Sequence, residues 1–354
     1  MSQFHKLTIS DIKNETSDTV SVAFQLSKEQ KADFDYIPGQ YLTLSFIIDG
    51  NEERRSYSIC SSPFSEQDIR VAVKKVENGL VSSFVNENLK VGDQVQVMPP
   101  QGNFTLNVAE GNNKTYVAFA AGSGITPIMS MIKTVLKKEI SSQFILFYGN
   151  KNAEHTIFKS DLDSIQSSQF KISYIYSRNE DVNSLYNGRL DKEKVNLLMR
   201  ENLECLKADA FYLCGPEKMI VDISDSLKEF DVNENKIHFE LFTTPVLMAS
   251  ETKKVELEDD FDGKSMVTVI CDDDEVEFEL SADGDSILDA AMENDVDVPF
   301  SCKGAVCCTC KAKVEEGKVN MDANYALSDK EVEEGFVLAC QSHPASAKVI
   351  LNFD

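Results

Sequence analysis

The chain has 354 residues, 42% hydrophobic and 27% charged, the make-up of a globular protein of two or three domains. Its formal net charge is −24, and residues 251–354 hold 26 of the 59 acidic side chains but only 9 of the 35 basic ones. Such a surface argues against nucleic acid and anionic membrane as partners and favours a partner with a basic docking patch.

Residues 1–108 read as short strands, HKLTISDIKNE, TVSVAFQLS, GQYLTLSFIID, RRSYSIC, DIRVAVKKVE and DQVQVMPP, separated by turn signals such as Asp49-Gly50 and Asn78-Gly79. One helix, LVSSFVNENL, follows Gly79. This spacing predicts a small antiparallel β-barrel. Over residues 109–243 the pattern changes. The apolar strands TYVAFAA, FILFYGN, KISYIYS and DAFYLCGP alternate with helical stretches such as ITPIMSMIKTVLKKE, KEKVNLLMREN and EKMIVDISDSLKEF. Buried strands alternating with helices predict an α/β domain with a parallel sheet. Residues 244–263 are polar, charged and without period, as expected of a linker. Residues 264–354 begin with a hairpin, MVTVIC and EVEFELS, followed by the helix SILDAAMEN and the strands KAKVEEGKV and KVILNF. No apolar run reaches the roughly 18 residues that span a bilayer. The N-terminal eighteen residues lack the basic and apolar regions of a signal peptide, so the expected location is cytoplasmic.

Four of the nine cysteines crowd into Cys302, Cys307, Cys308 and Cys310. Where thiols are kept reduced, such a cluster reads as metal binding. Cys302, Cys307 and Cys310 are spaced C-x4-C-x2-C, and Cys340 follows after 29 further residues, the plant-type [2Fe–2S] spacing. Cys308 is off register and is not counted as a ligand. A structural zinc site is the alternative, but it would pair C-x2-C with a second such pair or with histidines. Here the second half is Cys340, with His343 as the nearby histidine. The surrounding VPFSCKGAVCCTCKAKVEEGKV resembles ferredoxin domains, which implies a β-grasp α+β fold for the last unit.

Arg55-Ser56-Tyr57-Ser58 lies on a predicted strand after Pro38-Gly39-Gln40-Tyr41. Together with Gly79-Leu-Val-Ser82 before a helix and with PQGNF at 100–104, it resembles the ferredoxin–NADP reductase superfamily over residues 1–243. The chemistry agrees with that resemblance. Arg55 can bind a flavin phosphate through a bidentate guanidinium. Tyr57 offers a ring to stack on the isoalloxazine, and Ser58 a hydroxyl near N5. Gly79, Ser82 and Ser83 open a helix whose amides can take a pyrophosphate, which implies FAD rather than FMN.

Gly122-Ser-Gly124-Ile-Thr126-Pro127 sits between a buried strand and a helix, where a backbone can close on a pyrophosphate. Cys214-Gly215-Pro216 ends a later strand of the same sheet, and the resemblance implies that Cys214 lies near the nicotinamide. Ser177-Arg178 follows KISYIY, and in the superfamily this pair contacts the 2′-phosphate of NADP, so NADPH is expected over NADH. His238-Phe-Glu240-Leu-Phe242 closes the second unit. The resemblance implies that Phe242 covers the flavin ring and that Glu240 serves proton traffic.

Nicotinamides give two electrons as hydride, clusters take one at a time, and flavin does both. The implied route is NADPH to FAD to [2Fe–2S] to an external acceptor, and clusters of this type sit at about −400 mV. The order of modules, with MDANYALSDKEVEEGFVLACQSHP and a terminal NFD, resembles the reductase components of phenylacetyl-CoA epoxidase complexes. That resemblance implies a di-iron oxygenase of phenylacetate catabolism as acceptor. A reductase for a Rieske-type ring-hydroxylating dioxygenase or another oxygenase shares all three modules. A non-enzymatic iron–sulfur interaction protein would not need the intact RSYS, GSGITP and CGP segments.

Overall fold

The computed structural model describes residues 4–178, 183–248, 252, 255 and 261–354. Its first sheet has six antiparallel strands: β1 (His5–Thr16), β2 (Thr19–Gln25), β3 (Tyr41–Ile48), β4 (Asn51–Ser58), β5 (Ile69–Lys74) and β6 (Gln94–Val97). They run in the order β4-β3-β6-β1-β2-β5. Alternation sends Leu7, Ile9, Val22, Phe24, Leu42, Leu44, Val71 and Val95 into one core. The two outer strands approach each other through a bridge between Ile59 and Val71, which curls the sheet into the expected barrel. Helix α1 (Leu80–Glu87) adds Val81 and Val85 to this core.

The second sheet is parallel and built from β7 (Thr115–Ala121), β8 (Gln143–Asn150), β9 (Phe170–Tyr176), β10 (Ala210–Cys214) and β11 (Ile237–Glu240). Their order is β11-β10-β7-β8-β9. Helices α2 (Ile125–Lys138), α3 (Lys159–Asp163), α4 (Lys192–Glu201) and α5 (Glu217–Glu229) cover it. Residues of α2 and α3 share a core with Tyr116, Ala118 and Ala120, while α4 and α5 share another with Val117 and Phe119. Apolar side chains therefore leave both faces of β7, as a doubly covered parallel strand requires. The order reverses between β7 and β10, and the loops at their carboxyl ends form the crevice where ligands bind in such sheets.

The third unit has β12 (Lys264–Cys271), β13 (Asp274–Ser281), β14 (Lys311–Glu316), β15 (Val319–Met321), β16 (Phe336–Leu338), β17 (Ser342–Pro344) and β18 (Lys348–Asn352). Five of these form a sheet in the order β13-β12-β18-β14-β16, and β15 pairs with β17. Helix α6 (Ile287–Glu293) packs Ile287, Leu288 and Ala291 on Val267, Val269 and Leu351 of the sheet, the β-grasp arrangement. Helix α7 (Asp329–Glu333) starts at a capping box made by Ser328 and Glu331. No helix among the described residues is long and apolar enough to cross a membrane.

Candidate functional site

Cys302, Cys307 and Cys310 lie on the loop between α6 and β14, and Cys340 on a single turn between β16 and β17. The structure brings them together as two pairs. The sulfurs of Cys302 and Cys307 are 3.1 Å apart, and Cys310 and Cys340 are hydrogen-bonded to each other. Among the described residues, no three His, Cys, Asp or Glu side chains are grouped to hold a metal ion. Two adjacent pairs suit two irons. Lys303 and Ala305 adopt left-handed backbone angles (φ 49° and 62°), uncommon for side-chain-bearing residues. In this tight loop the N–H groups of Gly304, Val306 and Cys307 point at the Cys302 sulfur, and that of Ala305 at the Cys340 sulfur. The Gly304 contact measures 3.3 Å. Such a basket of amides favours an anionic group bound through thiolates.

Within each pair one thiol donates to the other sulfur. The Cys307 thiol donates to Cys302 and draws it down to about 6, while Cys307 itself is raised. Cys340 is likewise lowered by Cys310, and Cys310 is raised. Binding iron would release these protons. Cys308 is buried and its sulfur stands 3.4 Å from the Tyr41 hydroxyl, in neither pair.

Strand β4 carries Arg55, Tyr57 and Ser58, and its register against β3 divides them. Arg55 and Tyr57 oppose Leu44 and Leu42, whereas Arg54, Ser56 and Ser58 oppose Ser45, Thr43 and Tyr41. Arg55 is half exposed, beside Glu53 at 3.1 Å. The Tyr57 ring packs against the barrel core, and burial pushes its hydroxyl up to about 12. Ser58 Oγ donates to Glu240 Oε2 at 3.1 Å. Burial raises the Glu240 carboxyl to about 8, with the serine opposing. These two residues come from different sheets and meet above the carboxyl end of β10.

Gly79 caps α1, and among the described residues no side chain occupies its cap. The free amides of this first turn are a ready anion site. Ser82 Oγ accepts from the Val76 N–H at 3.1 Å and donates to the Gly79 carbonyl at 3.3 Å. Its hydroxyl therefore holds the loop into the helix. Ser83 is half-buried, with its N–H on the Gly79 carbonyl.

Gly122 and Gly124 lie between β7 and α2, and Thr126 in the first turn of α2. A Cβ on Gly124 would stand 2.0 Å from the Cys214 carbonyl oxygen, so only glycine lets this loop touch the end of β10. Gly122 has φ +54°, and Thr126 Oγ1 donates to the Ser123 carbonyl at 3.0 Å. The Cys214 thiol is fully buried, and burial raises it. It lies in the core shared by α2 and the sheet, while Gly215 and Pro216 lead into α5. Ser177 and Arg178 are exposed beyond the edge strand β9, and Ser177 Oγ contacts the Asn150 carbonyl at 3.4 Å. Phe242 is 43% exposed.

Three family models match the chain. An oxidoreductase FAD-binding domain covers residues 6–106, an oxidoreductase NAD-binding domain 119–225, and a 2Fe-2S iron-sulfur cluster binding domain 269–345. One component of the 1,2-phenylacetyl-CoA epoxidase of Escherichia coli K12 is 38% identical over 357 residues, spanning 100% of this chain and 99% of that protein. The chain belongs to the ferredoxin–NADP reductase superfamily, in the branch that carries a C-terminal [2Fe–2S] domain. The ferredoxin reductase component of a 3-ketosteroid-9-alpha-monooxygenase from Rhodococcus rhodochrous is 29% identical, covering 98% of this chain and 96% of its own. The fold matches phthalate dioxygenase reductase with a TM-score of 0.57 at 24% identity, over 99% of this chain and 98% of that one. The protein is an oxidoreductase with FAD, nicotinamide and [2Fe–2S] modules, homologous to the reductase components of oxygenases.

In this reductase several residues that join the modules carry no sequence signal. Arg54, only 4% exposed, grips Glu52 through two bonds of 2.9 Å and reaches Asp297 at 2.8 Å and the Val298 carbonyl at 3.3 Å. Its guanidinium lies over Phe300, 4.6 Å from the ring centre. Of the adjacent arginines in RRSYS, strand alternation turns Arg54 toward the ferredoxin and Arg55 away from it. Residues 244–248, expected to be linker, are held by hydrogen bonds. The N–H groups of Val246, Leu247 and Met248 all donate to the Glu217 carboxylate at 2.6–2.9 Å. Thr244 donates to the Gly304 carbonyl at 3.2 Å, and the Tyr325 hydroxyl to that of Met248 at 2.9 Å. A strap thus runs from the CGP loop to the cysteine loop. Of the remaining expected linker, 249–251, 253–254 and 256–260 lie outside the described residues.

Proposed function

We propose that this reductase draws electrons from NADPH and passes them through FAD and a [2Fe–2S] centre to a di-iron oxygenase of the phenylacetyl-CoA epoxidase type, in aerobic phenylacetate degradation. In this reading residues 1–108 hold FAD, 109–243 hold the nicotinamide, 244–263 connect, and 264–354 hold the cluster, in a cytoplasmic protein. The observation that carries it is the seating of the cysteine loop directly on β3 and on β4, the strand that bears RSYS. The full-length identity with the epoxidase component supports the choice of acceptor.

Each residue has a task that follows from its setting. Arg55 and the amides after Gly79 hold the FAD phosphates, with Ser82 and Ser83 shaping that turn. Tyr57 lays its ring on the flavin. Ser58 and Glu240 hold a proton at the flavin edge, and a carboxyl raised to about 8 stays protonated at neutral pH. Phe242 shields the ring. Gly122, Gly124 and Thr126, with Cys214, Gly215 and Pro216, shape the crevice for the nicotinamide half of NADPH. Ser177 and Arg178 take its 2′-phosphate. Cys302, Cys307, Cys310 and Cys340 ligate the cluster. When bound, flavin and cluster supply the conversion of a two-electron donor into single electrons.

A Cys340→Ser variant tests the wiring. It should lose the iron–sulfur absorption and electron paramagnetic resonance signal, yet keep flavin bleaching by NADPH. Loss of both would reject separate modules. For the acceptor, NADPH oxidation should couple to product formation when the purified epoxidase components are added, and salt should slow that delivery without slowing flavin reduction. A second reading, a reductase for a Rieske-type or other oxygenase, is supported by the ketosteroid monooxygenase relative. Coupling to such a component, and none to the epoxidase, would select it.

A further inference from the structure

We propose that Tyr41 is a positioning residue for internal electron transfer, holding the cysteine loop to the flavin strands through its hydroxyl. The inference rests on the reading of Cys302, Cys307, Cys310 and Cys340 as cluster ligands.

Tyr41 is the first residue of β3 and pairs across the sheet with Ser58 of β4. Its backbone also bridges to Gln101. The ring is 5% exposed and lies over Gly102, where a Cβ would come within 2.9 Å of it. Glycine at 102 therefore leaves room for the ring to point out of the barrel. At its far end the hydroxyl accepts the N–H of Cys308 at 3.1 Å. Cys308 stands between two of the ligand cysteines, so the bond fixes the backbone that carries them.

The same oxygen is 3.2 Å from Thr309 Oγ1, which is 3.3 Å from Thr43 Oγ1, itself 3.2 Å from Ser56 Oγ. Ser56 donates to Ser301 Oγ at 2.8 Å. One consistent orientation runs from Tyr41 to Thr309, Thr43, Ser56 and Ser301, each hydroxyl donating once. The chain crosses the seam between barrel and ferredoxin three times and brackets the cysteine loop from Ser301 to Thr309. Burial keeps the phenol protonated, so it serves as a fixed neutral acceptor and donor. The route from Ser58 to Cys308, the residue next to Cys307, is then one cross-strand pair, one side chain and one hydrogen bond. Cys308 gains a role too: a small buried thiol there lets the ring approach the loop backbone.

The test is Tyr41→Phe in the full-length holoprotein. Flavin bleaching by NADPH is expected to keep its wild-type rate. Cluster reduction, followed in its own visible band by anaerobic stopped flow, should slow about fivefold, the weight of one net hydrogen bond. The cluster's midpoint potential, titrated by electron paramagnetic resonance, should shift, and iodoacetamide labelling of Cys308, read by mass spectrometry, should rise. Wild-type values for all three overturn the proposal. If Tyr41→Phe does not fold, Thr309→Val removes the hydroxyl's partner from the opposite side. It should slow cluster reduction in the same direction, and a wild-type rate overturns the proposal. A wild-type protein without any iron–sulfur signal would instead reject the ligand reading, so the two failures are distinct.

Discussion

Arg54 offers the most direct measure of what holds the ferredoxin on the barrel. Across the seam its guanidinium makes one cation–π contact with Phe300, one bond to the buried Val298 carbonyl and one ion pair with Asp297. The Asp297 side chain is 78% exposed, so that pair contributes little and is screened by salt. The aromatic contact and the buried carbonyl are each worth about 1 kcal/mol, and the exposed pair about 0.5 kcal/mol. Arg54→Met should therefore shift the docking equilibrium roughly 50- to 100-fold toward separation. Arg54→Lys should recover little, because an ammonium cannot fork to Glu52 while reaching Val298. Small-angle scattering would report a larger radius of gyration, and stopped flow a slower cluster reduction with flavin reduction intact. If both variants keep the wild-type scattering profile and cluster kinetics, Arg54 does not hold the seam.

Other positions separate cleanly. Arg178→Ala should raise the KM for NADPH by roughly 10- to 100-fold, the weight of a charged hydrogen bond to phosphate, and leave the KM for NADH nearly unchanged. Equal effects would remove the 2′-phosphate role. For Glu240 the folded-state value, about 8, lies above the unfolded one, so the native chain keeps its proton longer. The carboxyl then weakens the fold progressively as pH rises from about 4.5 toward 8 and adds no further slope above that. Glu240→Gln should flatten that fall in Tm, and an unchanged slope would place the titration elsewhere. Gly304→Ala would set a Cβ 2.1 Å from Thr244 Oγ1. It should free the strap, read as faster amide exchange at Val246 to Met248, whereas unchanged exchange would mean that the strap yields without letting go.

The legible parts of this protein are those whose signal is local. The cysteine spacing, RSYS and the glycines of GSGITP each sit within a few residues, and the change from alternating strands to buried strands with helices marks the parallel sheet. Arg54 was not legible because its partners in the ferredoxin lie 243 residues and more along the chain, and because RR shows two identical side chains whose faces depend on strand register. The strap at 244–248 left no compositional mark, since its holding bonds use backbone N–H groups. Ser82 suggested a ligand contact by its place in GLVS, and the sequence does not show that its hydroxyl also ties Val76 to Gly79. Tyr41 belonged to a motif already associated with flavin, and nothing along the chain tells which way its ring points.

The chemistry of the seam carries a consequence for how such chains are assembled and divided. Beside Tyr41 and the Phe300 stack, the barrel meets the ferredoxin through polar side chains, among them Thr43, Ser56, Arg54 and Asn103 with their partners Ser301, Thr309, Asp297 and Glu331. Hydroxyls and a guanidinium hydrate readily when uncovered, whereas a core-like face would aggregate. A gene can therefore be split or fused at this seam without redesigning either surface, and the ferredoxin can be inherited as a detachable part.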